Sequence, residues 1–305
     1  MGVGPGDIRW RRELLSAGFA SGEVRGWVRR RELVAVGRGA YVPGGSLPVV
    51  PEARHALAVH AAVPGLASDA VASHVSAAVL HSLPVWAIPL ERVHVTRPRR
   101  SGARVGPALH MHAARLDADE VVHVGGLAVT SVARTIVDIA RSVSFEAAVP
   151  VADGALHRKI VTPGELDAAV ARSVRRPGTP LARRVVAFAD GRSEGVGESR
   201  SRVRMAQARL PVPALQWEVS SRTGRWLGRV DFGWPELATV GEFDGRVKYG
   251  RLLRPGQDPG EVVFAEKVRE DALRDEDLRV VRWTWHDLDN FDDVAARLRH
   301  AFRPR

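Results

Sequence analysis

Cysteine is absent from the 305 residues of this chain. Its absence excludes disulfide bonds, zinc sites with thiolate ligands and cysteine nucleophiles. Lysine is also scarce, because only Lys159, Lys248 and Lys267 occur among 45 basic residues, and the others are arginine. A chain without cysteine suits a reducing compartment, and we expect a cytoplasmic protein.

Long hydrophobic runs are missing as well. No stretch reaches the roughly 20 apolar residues that a membrane-spanning helix needs, and the N-terminal segment lacks the apolar region of a signal peptide. We therefore expect no membrane partner. Hydrophobic residues make up 45% of the chain and charged residues 26%, which is typical of folded globular proteins and not of disordered ones.

Positive charge exceeds negative charge, since 45 basic residues against 35 acidic ones give a formal net charge of +10. The excess is densest at the N-terminus, where residues 1–50 contain 8 basic and 4 acidic side chains. Such a surplus is typical of proteins that bind the phosphate backbone of nucleic acids. A GC-rich coding sequence is an alternative explanation for the many arginines. The positions of the arginines in the chain therefore have to distinguish nucleic-acid binding from coding bias.

The first 47 residues have the pattern of a winged helix-turn-helix. Residues 8–17 predict one helix, and a second helix with an apolar stripe follows from Ser21. Two short strand patterns, at 33–36 and 40–42, then flank a basic turn with two glycines. Short strands around such a turn are what a DNA-binding wing looks like.

Four arginines of this region are candidate DNA-binding residues. Arg25, Arg29 and Arg30 project from the second predicted helix, away from its apolar stripe, and Arg38 lies in the turn of the wing. We expect this helix to enter the major groove of double-stranded DNA and Arg38 to contact a phosphate. The alternative is an ordinary surface helix with solvated arginines.

Residues 48–188 predict a middle domain of mixed helices and strands. The apolar run at 71–83 predicts a helix. In a later predicted helix, Arg134 and Asp138 are four residues apart, so their side chains are expected to form an ion pair.

Histidines of the middle region are candidate metal ligands. His74 and His81 lie two helical turns apart, and His110 and His112 share one face of a predicted strand. No carboxylate stands at ligand spacing beside them. Ordinary buried or surface histidines are therefore the favoured interpretation.

Residues 189–305 predict the element order αβββαβ, followed by a closing helix. A tight turn after Trp234 would pair it with Thr239 and place Asp231 opposite Glu242. The alternation of side chains along a strand puts Asp244 on the same face as Glu242. Three carboxylates are therefore expected to meet at one edge of an otherwise apolar sheet.

Clustered carboxylates repel one another unless a cation holds them. Oxygen ligands without sulfur favour Mg²⁺ or Mn²⁺, so Asp231, Glu242 and Asp244 are candidate ligands of such an ion. A bound divalent ion activates water and neutralises charge on a scissile phosphate, and Lys248 follows closely enough to assist. The alternative is a half-exposed hairpin whose outward positions happen to be acidic.

The segments GESRSR, GRVDFGW and GEFDGRVKYG resemble the PD-(D/E)xK nuclease superfamily, specifically a bacterial domain related to very-short-patch-repair endonucleases. The resemblance implies that Glu198, Asp231 and Glu242 are metal-binding acids and part of a catalytic set. The lysine of the superfamily usually stands two residues after the glutamate, where this chain has Asp244. Lys248 would therefore have to replace it from a displaced position.

The segments GRGAYVPGG, ASHVSAAVLHSLPV and TSVARTIVDIAR resemble the antitoxin family of type IV toxin–antitoxin systems (AbiEi-like). This resemblance implies DNA binding and transcriptional autoregulation, with a cognate nucleotidyltransferase-like toxin as partner in true antitoxins. The expected fold class is a multidomain α/β protein. Its domains would be a winged helix-turn-helix (1–47), an antitoxin-like α+β middle domain (48–188) and a restriction-endonuclease-like αβββαβ domain (189–305).

Three functions are compatible with these patterns. The one we favour is a DNA-binding transcriptional regulator of the type IV antitoxin type that carries a nuclease-like domain. The second is an active Mg²⁺-dependent DNA endonuclease in repair or defence. The third is a toxin-neutralising interaction module with an inactive nuclease fold.

Overall fold

The computed structural model describes residues 5–245, 268–269 and 271–304. These residues form helices and several separate sheets, so the expected α/β class is confirmed. Within the described residues, no helix is long and apolar enough to cross a membrane. Short 3-10 turns occupy Pro5–Asp7, Gly44–Ser46, Val63–Gly65, Ala118–Glu120 and Pro235–Leu237.

The chain divides into two compact units. The first ends at Phe188 and lacks only Leu156–Arg158, which belong to the second unit together with the residues from Ala189 onward. The regions 1–47 and 48–188, predicted as two domains, thus lie in one compact unit.

The N-terminal part of the first unit contains two helices and a three-stranded antiparallel sheet in which the third strand is central. Its elements are β1 (Arg9–Trp10), α1 (Arg11–Ser16), α2 (Ser21–Arg29), β2 (Leu33–Gly37) and β3 (Ala40–Pro43).

The predicted helix over residues 8–17 was wrong at its beginning. The backbone of β1 pairs with β3 instead of forming the first helical turn. Ile8 and Trp10 then contribute to an apolar cluster that includes Leu57 and Ala61 of the following helix. This tertiary packing outweighs the local helical pattern.

The rest of the first unit is built on a six-stranded mixed sheet. Its strands are β4 (Val71–Ala72), β5 (Val93–Arg97), β6 (Arg104–Val105), β7 (Leu109–Ala113), β8 (Val121–Val124) and β9 (Leu127–Thr130). The strand order is β6-β7-β5-β4-β9-β8, with β5 parallel to β7 and β4 parallel to β9. The helices of this part are α3 (Pro51–Ala62), α4 (His74–Leu80), α5 (Val132–Ala140), α6 (Phe145–His157), α7 (Pro163–Arg172) and α8 (Thr179–Phe188).

The predicted helix over residues 71–83 was wrong in its first part. Val71 and Ala72 form β4, which pairs with β5 on one side and β9 on the other, and α4 begins only at His74. A strand in the middle of a sheet is apolar on both faces, so its sequence resembles a buried helix.

The expected pair between Arg134 and Asp138 is confirmed and is buried. Arg134 Nε donates to Asp138 Oδ2 at 2.7 Å, and Arg134 Nη1 donates to Glu120 Oε2 at 2.8 Å. Arg141 Nη1 donates to the other Asp138 oxygen at 3.0 Å. These contacts join α5 to the residues before β8.

The second unit contains a four-stranded sheet. Its elements are α9 (Val196–Gln207), β10 (Ala214–Ser220), β11 (Trp226–Trp234), β12 (Thr239–Asp244), β13 (Arg279–Thr284), α10 (Trp285–Asp289) and α11 (Asp292–Ala301). The strands lie in sequence order, and β12 runs parallel to β13 while the other pairs are antiparallel. Residues 271–275, between β12 and β13 in the chain, are helical.

The predicted pairing of Trp234 with Thr239 is confirmed. On one face of the sheet, Phe232 and Trp283 pack among buried side chains that α9 and α11 contribute. On the other face, Val230 and Val240 pack with Leu273 of the helical residues 271–275. The sheet therefore has an apolar core on both faces, with Glu242 and Asp244 near the end of β12 and Asp231 within β11.

Candidate functional site

Helix α2 is the element that sequence analysis assigns to DNA. Its first turn is closed by Glu23, whose Oε2 accepts a hydrogen bond from the backbone N–H of Ala20 at 2.6 Å. Val24 is fully buried and packs with Leu33 and Tyr41 of the hairpin. Because one face of this short helix is fixed against the hairpin, the opposite face is presented to solvent.

Three of the four predicted DNA-binding arginines are free of ion pairs. Arg25 and Arg29 stand four residues apart on α2, and Arg38 lies in the turn between β2 and β3; all are exposed. Among the residues that the structure describes, none of these three has a carboxylate within 4.0 Å. Arg30 differs, because its Nε donates to Glu32 Oε1 at 2.6 Å. This hydrogen bond raises the pKa of Arg30 and lowers the pKa of Glu32.

The hairpin that carries Arg38 is anchored beside its tip. Arg11 N donates to Gly39 O at 2.7 Å, and Gly39 adopts φ +69°, a region that favours glycine. A Cβ at Gly37 would lie 2.8 Å from the Cβ of Ala61 on α3, so only glycine lets the hairpin approach that helix so closely. The tip that bears Arg38 is therefore held in a defined position.

Among the predicted carboxylates, Glu198 and Asp231 influence each other. Glu198 Oε2, in the first turn of α9, accepts hydrogen bonds from Glu194 N at 2.9 Å and Gln216 Nε2 at 3.0 Å. Burial raises the pKa of Glu198 to about 7, and the negative charge of Asp231 adds to the rise. The two carboxylates thus share one neighbourhood.

Asp231 lies where the ladder between β11 and β12 stops. The last backbone pair is Phe232 with Gly241, and beyond it Asp231 Oδ2 accepts a hydrogen bond from Phe243 N at 2.9 Å. A side-chain carboxylate replaces the next strand-to-strand hydrogen bond. This contact fixes the Asp231 side chain at the end of the ladder.

Glu242 is held by two arginines. It is 8% exposed, and its Oε1 accepts from Arg269 Nη2 at 2.6 Å while its Oε2 accepts from Arg282 Nε at 2.9 Å. Arg282 stands directly beside it on the parallel strand β13. Both carboxylate oxygens are therefore engaged with cationic partners.

The structure does not bring the four predicted metal ligands into one group. Within the described part of the chain, no three of Glu198, Asp231, Glu242 and Asp244 place their ligand oxygens within 4.8 Å of one another. Asp244 is half-buried at the end of β12, beside Thr284. The remaining predicted catalytic residue, Lys248, lies outside the described residues.

The residues that surround these carboxylates were not predicted from the sequence. Arg282 becomes a neighbour of Glu242 only through the parallel pairing of β12 with β13, and Arg269 approaches from a separate helical segment. Gln216, which bonds Glu198, adopts a positive φ of +52° in β10. The one signal in the sequence was Arg282 itself, a basic residue that stands two positions after Val280 and therefore shares a face of the strand with it.

No protein-family model matches the chain. Two curated proteins of Mycobacterium tuberculosis, from the strains CDC 1551 / Oshkosh and ATCC 25618 / H37Rv, are similar to it, and both are described as uncharacterized. Each is 32% identical over 152 residues, which is 50% of this chain and 55% of the relative. The chain thus spans about half the length of the curated relatives it matches, and their descriptions state no activity.

Proposed function

We propose that this chain is a double-stranded DNA-binding regulator of the type IV antitoxin type, which contacts DNA through α2 and the β2–β3 hairpin. The observation that carries the proposal is the set Arg25, Arg29 and Arg38, all exposed and without a carboxylate partner among the described residues. Guanidinium groups left without such partners are available to phosphate and base edges.

The geometry of these elements suits a duplex. A helix fits the major groove of a duplex. The side chains of Arg25 and Arg29 are one helical turn apart, so both would lie along that groove. The hairpin tip with Arg38 would meet the backbone beside the groove, as the wing does in winged helices. The ion pair of Arg30 with Glu32 makes Arg30 a weaker contributor than the other three.

The second unit supports a nuclease-like fold more than nuclease activity. Its order α9-β10-β11-β12, the helical residues 271–275 and β13, with β12 parallel to β13, supports the proposed restriction-endonuclease-like architecture. The acids do not fit the three-carboxylate magnesium site, because Glu242 is paired with Arg269 and Arg282 instead of joining Glu198 and Asp231. We therefore propose regulation by DNA binding and derive no hydrolytic step.

A fluorescence anisotropy titration of the full chain with a duplex from the region upstream of its own gene tests the proposal. We expect the double variant Arg25→Ala/Arg29→Ala to bind about 10- to 100-fold more weakly than the wild type. Removing two cationic contacts also makes the decline of log K with log[salt] less steep, by about 2 in slope. Arg183→Ala on α8 is the matched control, since Arg183 is an exposed arginine outside the DNA-facing elements.

Two results would count against this proposal. In the first, the double variant and the Arg183→Ala control bind the duplex with equal affinity. In the second, the wild type shows no salt-dependent binding to any duplex. A preference for the upstream duplex over random duplexes at physiological salt supports a regulatory role in particular.

A further inference from the structure

Four histidines meet in the first unit, on elements other than those proposed to contact DNA. His94 on β5 lies directly beside His110 on β7 because the two strands pair in parallel, and His112 follows two residues later on the same face. His74, at the start of α4, stacks on His112 with ring centroids 3.7 Å apart. The group therefore combines three separate segments of the chain.

Three of these imidazoles have the spacing of metal ligands. His74, His94 and His112 each offer one ring nitrogen, and the three nitrogens lie within 4.8 Å of one another. His94 Nδ1 and His112 Nε2 are 3.1 Å apart. Two nitrogens bound to one tetrahedral Zn²⁺ at about 2.0–2.1 Å would be separated by roughly 3.3 Å. The observed spacing is close to that value.

An outer layer of hydrogen bonds orients His74. Its Nδ1 is 3.0 Å from Ser73 Oγ, which also accepts a hydrogen bond from Thr96 Oγ1 at 2.8 Å. With Nδ1 engaged, Nε2 is the nitrogen left for an ion. Such outer partners are a regular feature of metal-binding histidines, because they fix the tautomer and the direction of the ring.

The backbone of His74 is itself unusual. It has φ +51°, in the left-handed region that non-glycine residues seldom adopt, although it is the first residue of a helix. The fold thus holds His74 in a strained backbone conformation within this group of histidines.

A cavity of about 670 Å³ opens onto this group. His74 and His112 line it together with Thr96, and Asp138 is the one acidic residue of its lining. The cavity gives an ion and water a path to His74 and His112. The remaining charged residues of the lining are six arginines, namely Arg99, Arg100, Arg115, Arg134, Arg141 and Arg176.

We propose that His74, His94 and His112 bind a divalent transition metal ion, with Zn²⁺ the best match, at the histidine wall of this cavity. Imidazole nitrogens suit Zn²⁺ and related ions, whereas Mg²⁺ prefers oxygen ligands. Three histidines leave one coordination position open toward the cavity, as in zinc sites that keep a water or substrate ligand. This site is independent of the DNA-binding surface proposed above.

The surroundings define the fourth ligand. The arginines of the lining oppose additional positive charge, and Asp138 already accepts hydrogen bonds from Arg134 and Arg141. The loaded site is therefore expected to hold an anion, hydroxide or an oxyanion such as phosphate, at its open position. Because the His74 and His112 rings are stacked, loading requires the His112 ring to turn about χ2, a torsion that is soft for histidine, while the hydrogen bond to Ser73 holds His74.

The test measures metal uptake by the untagged full-length chain. After incubation with excess Zn²⁺ and dialysis against metal-free buffer, elemental analysis is expected to find one Zn²⁺ per wild-type chain, and Co²⁺ should give the intense visible bands of tetrahedral nitrogen coordination. His94→Gln and His112→Gln should weaken binding by more than the roughly 10- to 100-fold typical of losing an outer partner. His123→Gln, at an exposed position of β8, is the matched control and should retain the ion.

The proposal is overturned if the wild-type chain retains far less than one Zn²⁺ and gives only the weak bands of octahedral Co²⁺. It is also overturned if folded His94→Gln and His112→Gln retain as much Zn²⁺ as the control. Should these variants fail to fold, the Co²⁺ spectrum of the wild type decides alone. Zinc uptake by Arg25→Ala/Arg29→Ala separates a failure here from a failure of the DNA-binding proposal.

Discussion

Glu198 couples the stability of the second unit to pH. Its carboxyl group has a pKa of about 7 in the folded chain, because burial disfavours the charged form and Asp231 adds a negative charge nearby. In the unfolded chain the pKa returns to about 4.5. Between these values the folded state binds one proton more than the unfolded state, so the free energy of unfolding falls as pH rises.

We expect this contribution to be fully present below about pH 4.5 and lost by about pH 7, above which it stays constant. The size is about 1–3 kcal/mol, since a shift of one unit corresponds to about 1.36 kcal/mol and Glu198 keeps part of its side chain at the surface. Urea unfolding of the wild type and of Glu198→Gln at several pH values measures it. The difference in stability between the two proteins should change by that amount across the window.

The glutamine variant serves as a neutral mimic, and comparison with it removes the contribution of histidines that titrate in the same range. A difference between wild type and Glu198→Gln that is the same at pH 4.5 and pH 8 would show that Glu198 ionises normally. Such a result would also show that the negative charge of Asp231 does not raise the pKa of Glu198.

At the scale of elements, the packing of α9 on the sheet depends on one glycine. A Cβ at Gly197 would overlap the ring of Phe243 on β12, so the helix can approach that strand only with glycine at this position. The same approach places Glu198, the next residue, close to Asp231 at the end of the β11–β12 ladder. Close packing and the position of the acidic pair therefore have one origin.

Gly197→Ala is expected to lower the free energy of unfolding by about 1–3 kcal/mol, because overpacking forces α9 or Phe243 to move. Alanine favours a helix over glycine by about 1 kcal/mol, which offsets only part of this cost. Thermal unfolding followed by circular dichroism measures the effect. Gly195→Ala is the matched control, because a Cβ at Gly195 meets nothing within 4 Å. Equal stability of the two variants would contradict the proposed close approach.

At the scale of the whole molecule, the proposed DNA-binding surface and the proposed nuclease-like unit share one chain with a net charge of +10. We expect the chain to bind DNA without cleaving it. Glu242 is paired with Arg269 and Arg282. The three carboxylates that a divalent ion would need as ligands therefore do not converge on one position.

Incubation of the full chain with supercoiled plasmid and Mg²⁺ or Mn²⁺, read by gel electrophoresis, tests this expectation. Wild type and Asp231→Ala should both leave the plasmid supercoiled under conditions in which the wild type binds DNA. Cleavage by the wild type that disappears in Asp231→Ala would establish the endonuclease alternative and show that Glu242 leaves its arginine partners during the reaction.

The sequence by itself determined features that depend on neighbouring residues. The two strands of the β2–β3 hairpin, the pairing of Trp234 with Thr239 and the ion pair of Arg134 with Asp138 were all predicted correctly. Each involves residues a few positions apart, whose contact follows from turn chemistry or helical spacing. Local patterns also placed the exposed arginines of α2.

Only the tertiary structure decided which distant segments meet. The parallel pairing of β12 with β13 gave Glu242 an arginine neighbour, and the parallel pairing of β5 with β7 put His94 beside His110. His81, expected near His74, instead bonds the backbone oxygen of Thr130. Parallel strands are joined by long connections whose sequence carries no record of register, so packing of the whole sheet sets which side chains face one another.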